Sequence, residues 1–235
     1  MKAFLLAAGL GTRLRPLTND IPKCLIPIKG KPLLEYWIGL MEKHGITEVL
    51  ISVHHLADKV KNFIRNYESQ SVTFQFYEES ELLGSGGSLR ENKDFVSGEE
   101  NFFILYADNL TNINLTELLE YHKLKEQPFT MALNRVENPY RCGIAELDEN
   151  GIVTSFVEKP KNPVSNLANA GVYIAKPEIL EMLPTTKITD IGYDLLPQLI
   201  GKMAGWETKD YLIDIGTFEN LNRAEREWKL VDCQL

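Results

Sequence analysis

The opening segment restricts the fold of this 235-residue chain more than any other feature. It is a short apolar run, Lys2–Ala8, that ends at two closely spaced glycines, Gly9 and Gly11. A continuous apolar run of this length is typical of a strand buried on both faces, as in a parallel sheet covered by helices. Because glycine has no Cβ, the backbone N–H groups of a turn after such a strand can approach an anion closely. The segment therefore predicts an α/β fold with an anion-binding loop after its first strand.

The remainder of the first half alternates between predicted helices and predicted strands. Helices are expected at Pro32–Gly45, Asp58–Tyr67 (with Asp58 as its N-cap) and Asn114–Gln127, and Leu83–Asn92 is expected to form a glycine-rich turn that leads into a helix. Strands are expected at Glu48–His54, Val72–Tyr77 and Asn101–Ala107. This alternation implies right-handed crossovers and a parallel sheet, in which ligands bind beyond the carboxyl ends of the strands.

The second half contains more predicted strands than helices. The strands are Thr130–Arg135, Gly143–Leu147, Thr154–Glu158, Ala168–Ala175 and Tyr211–Ile215, with a hairpin turn at Glu149–Gly151. Helices are expected around Ile179–Leu183, Asp194–Met203 and Phe218–Lys229. Since no linker or repeat separates the halves, residues 1–235 are predicted to form a single domain.

Charge and cysteine content exclude several classes of protein. A formal net charge of -8 argues against general nucleic-acid binding. Cys24, Cys142 and Cys233 are odd in number and lack metal-ligand spacing, so reduced thiols are expected. The apolar start is too short for a membrane helix, and Arg13 and Arg15 follow it directly. We therefore expect a cytoplasmic protein without membrane or nucleic-acid partners.

The glycine loop fits neither of two common phosphate-binding fingerprints. A dinucleotide-binding loop needs a third glycine where this chain has Leu14, and a Walker A loop needs Gly-Lys-Ser/Thr where it has Leu14-Arg15-Pro16. The two basic residues after the loop are better indicators. Arg13 can grip a polyphosphate with a planar fork, and Lys23 adds a compact positive charge in a segment stiffened by Pro22 and Pro27.

Residues 3–36 contain LAAGLGTRLRPLT, PKCLIP and GKPLLEY, and they resemble the opening signature of the sugar-1-phosphate nucleotidyltransferases. That family includes mannose-1-phosphate guanylyltransferases and glucose-1-phosphate thymidylyl- and uridylyltransferases. Further segments resemble the same family, although Ala107 stands where the family has glycine: Leu83–Leu89, Phe102–Asn109, Val157–Pro160, Asn169–Tyr173 and Tyr211–Thr217. The resemblance implies a Rossmann-like three-layer α/β sandwich with a mostly parallel mixed central sheet.

The resemblance also implies which residues bind the substrates. The half at about 1–128 would hold the nucleotide, through Leu6, Ala7, Ala8, Gly9, Gly11, Thr12, Arg13, Lys23, Ser85, Gly86 and Gly87. The half at about 129–235 would hold the sugar phosphate, through Gly143, Glu158, Lys159, Asn169 and Gly171, together with Asp108. In this scheme Gly87 leaves room for the base, Lys159 anchors the phosphate, and Glu158 and Asn169 bond sugar hydroxyls.

Two aspartates complete the expected catalytic set of Arg13, Lys23, Asp108 and Asp214. Asp108 and Asp214 each end an apolar strand, and a pair of carboxylates in one sheet with phosphate oxygens nearby suits Mg²⁺. The two charges are expected to repel across a shared site, so that removing one should leave stability intact. His54 and His55 have no third ligand at usable spacing and are expected to be ordinary strand-end histidines.

The implied reaction is nucleotidyl transfer from an NTP to a sugar 1-phosphate with release of pyrophosphate. The resemblance favours GTP with manno-heptose or mannose 1-phosphate. Uridylyl or cytidylyl transfer to another sugar or amino-sugar 1-phosphate, or to phosphocholine, stays open. A silent nucleotide-sugar-binding regulatory subunit is the non-enzymatic alternative, and both a monomer and a homo-oligomer are compatible with the sequence.

Overall fold

The computed structural model describes residues 1–69 and 71–231, which form five α-helices and thirteen strands. The helices are α1 (Leu33–Lys43), α2 (Ala57–Asn66), α3 (Gly84–Glu91), α4 (Leu115–Lys125) and α5 (Phe218–Val231). The strands are β1 (Lys2–Leu6), β2 (Pro27–Ile28), β3 (Lys31–Pro32), β4 (Glu48–Val53), β5 (Thr73–Glu78), β6 (Phe102–Tyr106), β7 (Asn109–Thr111), β8 (Phe129–Arg135), β9 (Gly143–Leu147), β10 (Val153–Glu158), β11 (Leu167–Ala175), β12 (Met203–Glu207) and β13 (Leu212–Asp214). Among the described helices, none is long and apolar enough to cross a membrane.

The central sheet is mixed and runs in the order β10-β9-β11-β6-β1-β4-β5, with β8 paired to both β11 and β12. The first-half strands β5, β4, β1 and β6 are parallel neighbours. Strand β11 joins them antiparallel to β6. The expected α/β, Rossmann-like sandwich with helices on a mixed central sheet is thereby confirmed.

The first strand is apolar throughout because both faces of the sheet are covered. Ala3 and Leu5 contribute to the hydrophobic cluster on one face, and Phe4 contributes to the cluster on the other. All three side chains are fully buried. Burial of an aromatic or leucine side chain contributes about 1.5–3 kcal/mol to folding, so this strand is a strong centre for the fold.

A small second sheet sets the geometry of the site. Strand β7 begins one residue after Asp108 and pairs antiparallel with β13, so that Asn109 lies opposite Asp214. The adjacent parallel strands β1 and β6 end side by side, with Leu6 opposite Tyr106. The loop after β1, the residues after β6 and the end of β13 therefore meet at one edge of the sheet.

Two local predictions are wrong. Asp58 lies in the first turn of α2, and the N-cap is Leu56, in the left-handed conformation without a side-chain cap. The predicted helix Asp194–Met203 is a π-helical turn, Ile191–Leu195, followed by a short 3₁₀ turn, Leu196–Leu199. Proline at 197 contributes no N–H to a longer helix.

Strand β12 was not predicted, and Met203 belongs to it rather than to a helix. It pairs parallel with β8, which is a tertiary contact that local spacing does not reveal. The predicted strand Tyr211–Ile215 is present as the shorter β13, outside the main sheet.

Candidate functional site

The predicted phosphate loop connects β1 to a 3₁₀ turn at Thr12–Leu14, and its two glycines have different roles. A Cβ at Gly9 would meet no described atom within 4 Å, so the backbone there is open to a ligand. Gly11 has φ +62°, and a Cβ on it would lie 2.8 Å from Cγ2 of Thr18. The Thr18 hydroxyl donates to the Gly11 carbonyl at 2.8 Å. One side of the loop is therefore fixed by packing while the other is accessible.

Lys23 is the most enclosed cation of the site. Its ammonium donates to Oδ2 of Asp108 at 2.5 Å and to Oδ1 of Asp214 at 2.8 Å, and its side chain is 10% exposed. Burial lowers the pKa of Lys23, but the two carboxylates more than offset this and raise it above the usual value. Lys23 is therefore a fixed positive charge at neutral pH.

The same contacts correct two expectations about the aspartates. Asp214 belongs to β13 in the small second sheet, so the two carboxylates are not in one sheet as predicted. They do converge, because both accept from the same ammonium. The expectation of repulsion across a shared site left out Lys23, whose ammonium bonds both carboxylates and offsets their repulsion.

Arg13 completes a cluster of two cations and two carboxylates. Its Nη2 atom lies 3.7 Å from Oδ2 of Asp214, and the Arg13 side chain is mostly exposed. The backbone N–H of Gly216 donates to Oδ1 of Asp214 at 2.7 Å and fixes that carboxylate. A Cβ at Gly216 would come within 2.7 Å of the guanidinium, so the glycine leaves room for this approach.

The cluster borders a small cavity lined by Leu6, Ala7, Gly9, Lys23, Cys24, Ala107 and Asp108. Within the described part of the chain, no group of three or more His, Cys, Asp or Glu residues could enclose a metal ion. The Asp108 and Asp214 carboxylates are 38% and 44% exposed, so their oxygens remain accessible. Two accessible carboxylates fit Mg²⁺, which typically takes one or two carboxylates and completes its shell with phosphate and water.

The second glycine segment differs from the expected turn, because its glycines form the helix α3 itself. The backbone N–H groups of Gly86 and Gly87 donate to the Thr189 carbonyl at 2.8 and 3.1 Å. A Cβ at Gly87 would lie 2.8 Å from Cβ of Leu83. These glycines permit close packing of α3 against residue 189. A Cβ at Gly87 would therefore point toward Leu83, and not into the space that was predicted for a base. The role of Gly86 and Gly87 in binding a nucleotide stays a prediction.

Ser85 links this segment to the second half of the chain. Its hydroxyl donates to Oδ2 of Asp190 at 2.9 Å and accepts from the backbone N–H of Ile191 at 2.8 Å. Asp190 also accepts from the N–H of Gly192 at 2.8 Å, so one carboxylate holds both α3 and the turn that follows it. Asp190 is not among the site residues predicted from the sequence. An aspartate before Ile-Gly is an N-cap pattern, which was the available signal.

Glu158 and Lys159 lie at the end of β10, on the second-half side of this edge. The Glu158 carboxylate is 15% exposed, and a Cβ at Gly192 would lie 2.9 Å from its Oε2 atom. Gly143 borders the same oxygen, where a Cβ would lie 2.5 Å away. Burial raises the pKa of Glu158, and this is partly offset by Lys159, whose ammonium lies 3.3 Å from Oε1.

Asn169 and Gly171 lie at an irregularity in β11, between Asn169 and Tyr173. The Asn169 amide donates to the Tyr173 hydroxyl at 2.7 Å, and its Oδ1 accepts from the Gly171 N–H at 2.9 Å. Gly171 has φ +67°, and a Cβ on it would lie 2.6 Å from the Tyr106 ring. Asn169 keeps one N–H and one lone pair for a ligand, and its contact with a sugar hydroxyl stays a prediction.

The histidines and cysteines match the expectation of ordinary residues. His54 Nδ1 lies 2.7 Å from the Glu79 carbonyl and His55 Nε2 lies 2.7 Å from the Thr18 carbonyl, so each ring nitrogen donates to the backbone. Cys24 and Cys142 are free thiols, and burial raises the pKa of Cys24 to about 12. Cys233 lies outside the described residues.

Comparisons with known proteins identify the family of this chain. Residues 2–229 match the family model described as nucleotidyl transferase. The chain is 33% identical over 214 residues to UTP–glucose-1-phosphate uridylyltransferase of Synechocystis sp., covering 85% of this chain and 55% of that protein. It is 35% identical over 204 residues to mannose-1-phosphate guanylyltransferase 1 of Arabidopsis thaliana, covering 85% and 56%. The chain thus spans little more than half the length of these curated relatives.

One solved structure matches this chain over nearly the whole length of both proteins. HddC from Yersinia pseudotuberculosis superposes with a TM-score of 0.82 and 27% identity, covering 97% of this chain and 99% of that one. The structure of HddC complexed with GMP-PN has the same TM-score and coverage, with 26% identity.

Proposed function

We propose, given that this chain belongs to the nucleotidyl transferase family, that it transfers a nucleotidyl group from an NTP to a sugar 1-phosphate and releases pyrophosphate. The observation that carries the proposal is the cluster of Arg13, Lys23, Asp108 and Asp214 beside the open backbone of Gly9. Such a cluster offers two cations and exposed N–H groups to a polyphosphate, and two carboxylates to a hard cation.

GTP is the proposed nucleotide and mannose or manno-heptose 1-phosphate the proposed acceptor. The Arabidopsis relative is a mannose-1-phosphate guanylyltransferase, and HddC has been solved with GMP-PN. The Synechocystis relative, a UTP–glucose-1-phosphate uridylyltransferase, favours the second candidate, which is uridylyl transfer to glucose 1-phosphate.

The nucleophile in this reaction requires no general base. A sugar 1-phosphate carries about −1.5 to −2 charges at neutral pH, since its second pKa is near 6. The obstacle is the repulsion between two polyanions, which is about 4 kcal/mol per pair of unit charges ~4 Å apart at an effective dielectric of 20. Catalysis therefore consists of positioning and neutralisation, as in other phosphoryl transfers.

Arg13 and the backbone of Gly9–Thr12 bind the departing β- and γ-phosphates in this scheme, and Lys23 binds the α-phosphate. To do so, Lys23 must give up its hydrogen bonds to Asp108 and Asp214, because in the structure its ammonium donates to both. Asp108 and Asp214 would then be free to hold Mg²⁺. When bound, that ion supplies positive charge to the phosphate oxygens.

The acceptor is bound by residues of the second half of the chain. Lys159 is mostly exposed, so its ammonium can bind the phosphate of the sugar 1-phosphate. The buried carboxylate of Glu158 accepts hydrogen bonds from sugar hydroxyls, and Asn169 contributes its remaining donor. This leaves the α-phosphorus of the nucleotide between the two sets of cations, where in-line attack displaces pyrophosphate.

Pyrophosphate release with each of the four NTPs and a panel of sugar 1-phosphates tests the proposal. We expect Mg²⁺-dependent release that requires both substrates, with GTP and mannose-type 1-phosphates giving the highest kcat/KM. Preference for UTP and glucose 1-phosphate would establish the second candidate instead. Nucleotide-sugar binding without turnover of any pair would refute the catalytic proposal and favour a silent binding subunit.

A further inference from the structure

We propose that Tyr193 is a substrate-positioning residue whose ring receives the apolar C–H face of the sugar beside Lys159. This inference rests on the proposed function and adds to it a residue that selects for a ring-shaped acceptor. Neither the glycine loops nor the sugar-phosphate segments contain Tyr193, because it lies on the π-helical turn Ile191–Leu195.

The first observation is an exposed aromatic ring on a fixed backbone. Tyr193 is 57% exposed, while Ile191 and Leu195 of the same turn are fully buried. The backbone N–H of Tyr193 donates to Oδ1 of Asp190 at 3.3 Å. Asp190 accepts a hydrogen bond from the Ser85 hydroxyl, which connects the turn to α3. A rigid element that presents an aromatic ring to solvent is typical of a contact surface, since the ring loses little entropy on binding.

The second observation is the position of the ring relative to the predicted phosphate anchor. The Lys159 ammonium lies over the Tyr193 ring, 5.7 Å from its centroid. Lys159 has φ +49°, which is strained for a residue other than glycine, and its N–H donates to the Cys142 carbonyl at 3.0 Å. Backbone strain of this kind is commonly retained at functional sites. The backbone positions that carry the ring and the ammonium are therefore both fixed.

The third observation is the adjacent carboxylate. Gly192 precedes Tyr193, and its lack of a Cβ lets the turn approach Oε2 of Glu158. An ammonium, a carboxylate and an aromatic face thus meet at the end of β10. A pyranose 1-phosphate presents the matching groups, which are a phosphate, hydroxyls and a face of C–H bonds. The Tyr193 ring takes the last of these, and its own hydroxyl is not required.

The experiment compares Tyr193→Ala and Tyr193→Phe with the wild type in steady-state assays. We expect Tyr193→Ala to raise the KM for the sugar 1-phosphate about tenfold, which corresponds to about 1.4 kcal/mol, and to leave the KM for the NTP within twofold. Tyr193→Phe retains the ring face and should stay within twofold of wild type for both substrates. Leu124→Ala is the control, because Leu124 is a 77% exposed side chain on α4.

Inhibition by methyl phosphate separates a ring contact from mere support of Lys159. This probe has the phosphate but no sugar ring, so Tyr193→Ala should leave its inhibition constant unchanged while Lys159→Met weakens it. Equal weakening by both variants would overturn the inference, because Tyr193 would then only orient Lys159. An unchanged sugar-phosphate KM in Tyr193→Ala would overturn it as well, with the proposed function intact. A wild type that turns over no sugar 1-phosphate would remove both proposals.

Discussion

Replacing Lys23 with methionine is the most direct perturbation of the site, because one ammonium bonds two carboxylates from distant parts of the chain. Methionine has a similar length and no charge. The bonds to Asp108 and Asp214 are 2.5 and 2.8 Å long, so the two carboxylate oxygens are at most 5.3 Å apart. Without Lys23 these two negative charges face each other directly.

The size of the effect follows from that separation. Two unit charges ~5 Å apart repel by about 3 kcal/mol at an effective dielectric of 20 and by about 1 kcal/mol in water. Both carboxylates are roughly two-fifths exposed, which favours the lower part of this range. Methionine also avoids the desolvation of a buried ammonium. We therefore expect a loss of about 1–2 kcal/mol in the free energy of unfolding, or a Tm lower by about 2–8 °C.

Thermal unfolding with and without Mg²⁺, in the absence of nucleotide, measures this effect. The variant should recover stability as Mg²⁺ is added, by about 1.4 kcal/mol at ten times the dissociation constant, because the aspartates are no longer occupied by Lys23. The wild type should respond far less. Turnover of Lys23→Met should fall at least about 10²-fold in kcat, since its charge acts in the transition state.

Lys29→Met is the matched control, because Lys29 forms a more exposed ion pair, 3.8 Å from Glu225. It should change neither Tm nor the response to Mg²⁺. If Lys23→Met is as stable as the wild type and Mg²⁺ leaves its Tm unchanged, Lys23 does not neutralise the two aspartates and the exchange of partners is wrong.

Three further predictions follow from individual contacts. Asp214→Asn should abolish Mg²⁺-dependent turnover. It should also lower the Tm by a few degrees, because the buried ammonium of Lys23 loses a charged partner, and an unchanged Tm would contradict the ion pair between Lys23 and Asp214. Gly84→Ala should lower the free energy of unfolding in urea by about 1–3 kcal/mol, because its Cβ would clash with the Thr189 carbonyl. A loss below about 0.5 kcal/mol would show that α3 can shift to relieve the clash. Burial lowers the pKa of His122 to about 4, so the free energy of unfolding of the wild type should fall by at most about 3 kcal/mol as the pH drops from about 6.5 to 4. His122→Asn should flatten that decline. If the wild type and the variant lose stability in parallel with pH, His122 is not the titrating group.

The sequence predicted the elements whose apolar pattern is local and strong. Strand β1, helices α1 and α4 and the parallel first half agree with expectation, because burial on both faces requires a continuous apolar run and a single buried face requires helical spacing. Local pattern failed at Asp194–Met203. There, Asp190 caps a π-helical turn and β12 exists only because β8 provides its hydrogen-bonding partner.

The chain's own residues, taken in order, determined the chemistry of the site: an open glycine loop, two cations and two strand-end carboxylates. Only the tertiary structure decided how these groups contact one another. Lys23 and Asp214 are far apart in the chain, and the ladder between β7 and β13 is what places the carboxylate against the ammonium at 2.8 Å. Side-chain type depends on sequence alone, whereas the net energy of two neighbouring carboxylates depends on whether a cation lies between them, and that is fixed by packing of distant segments.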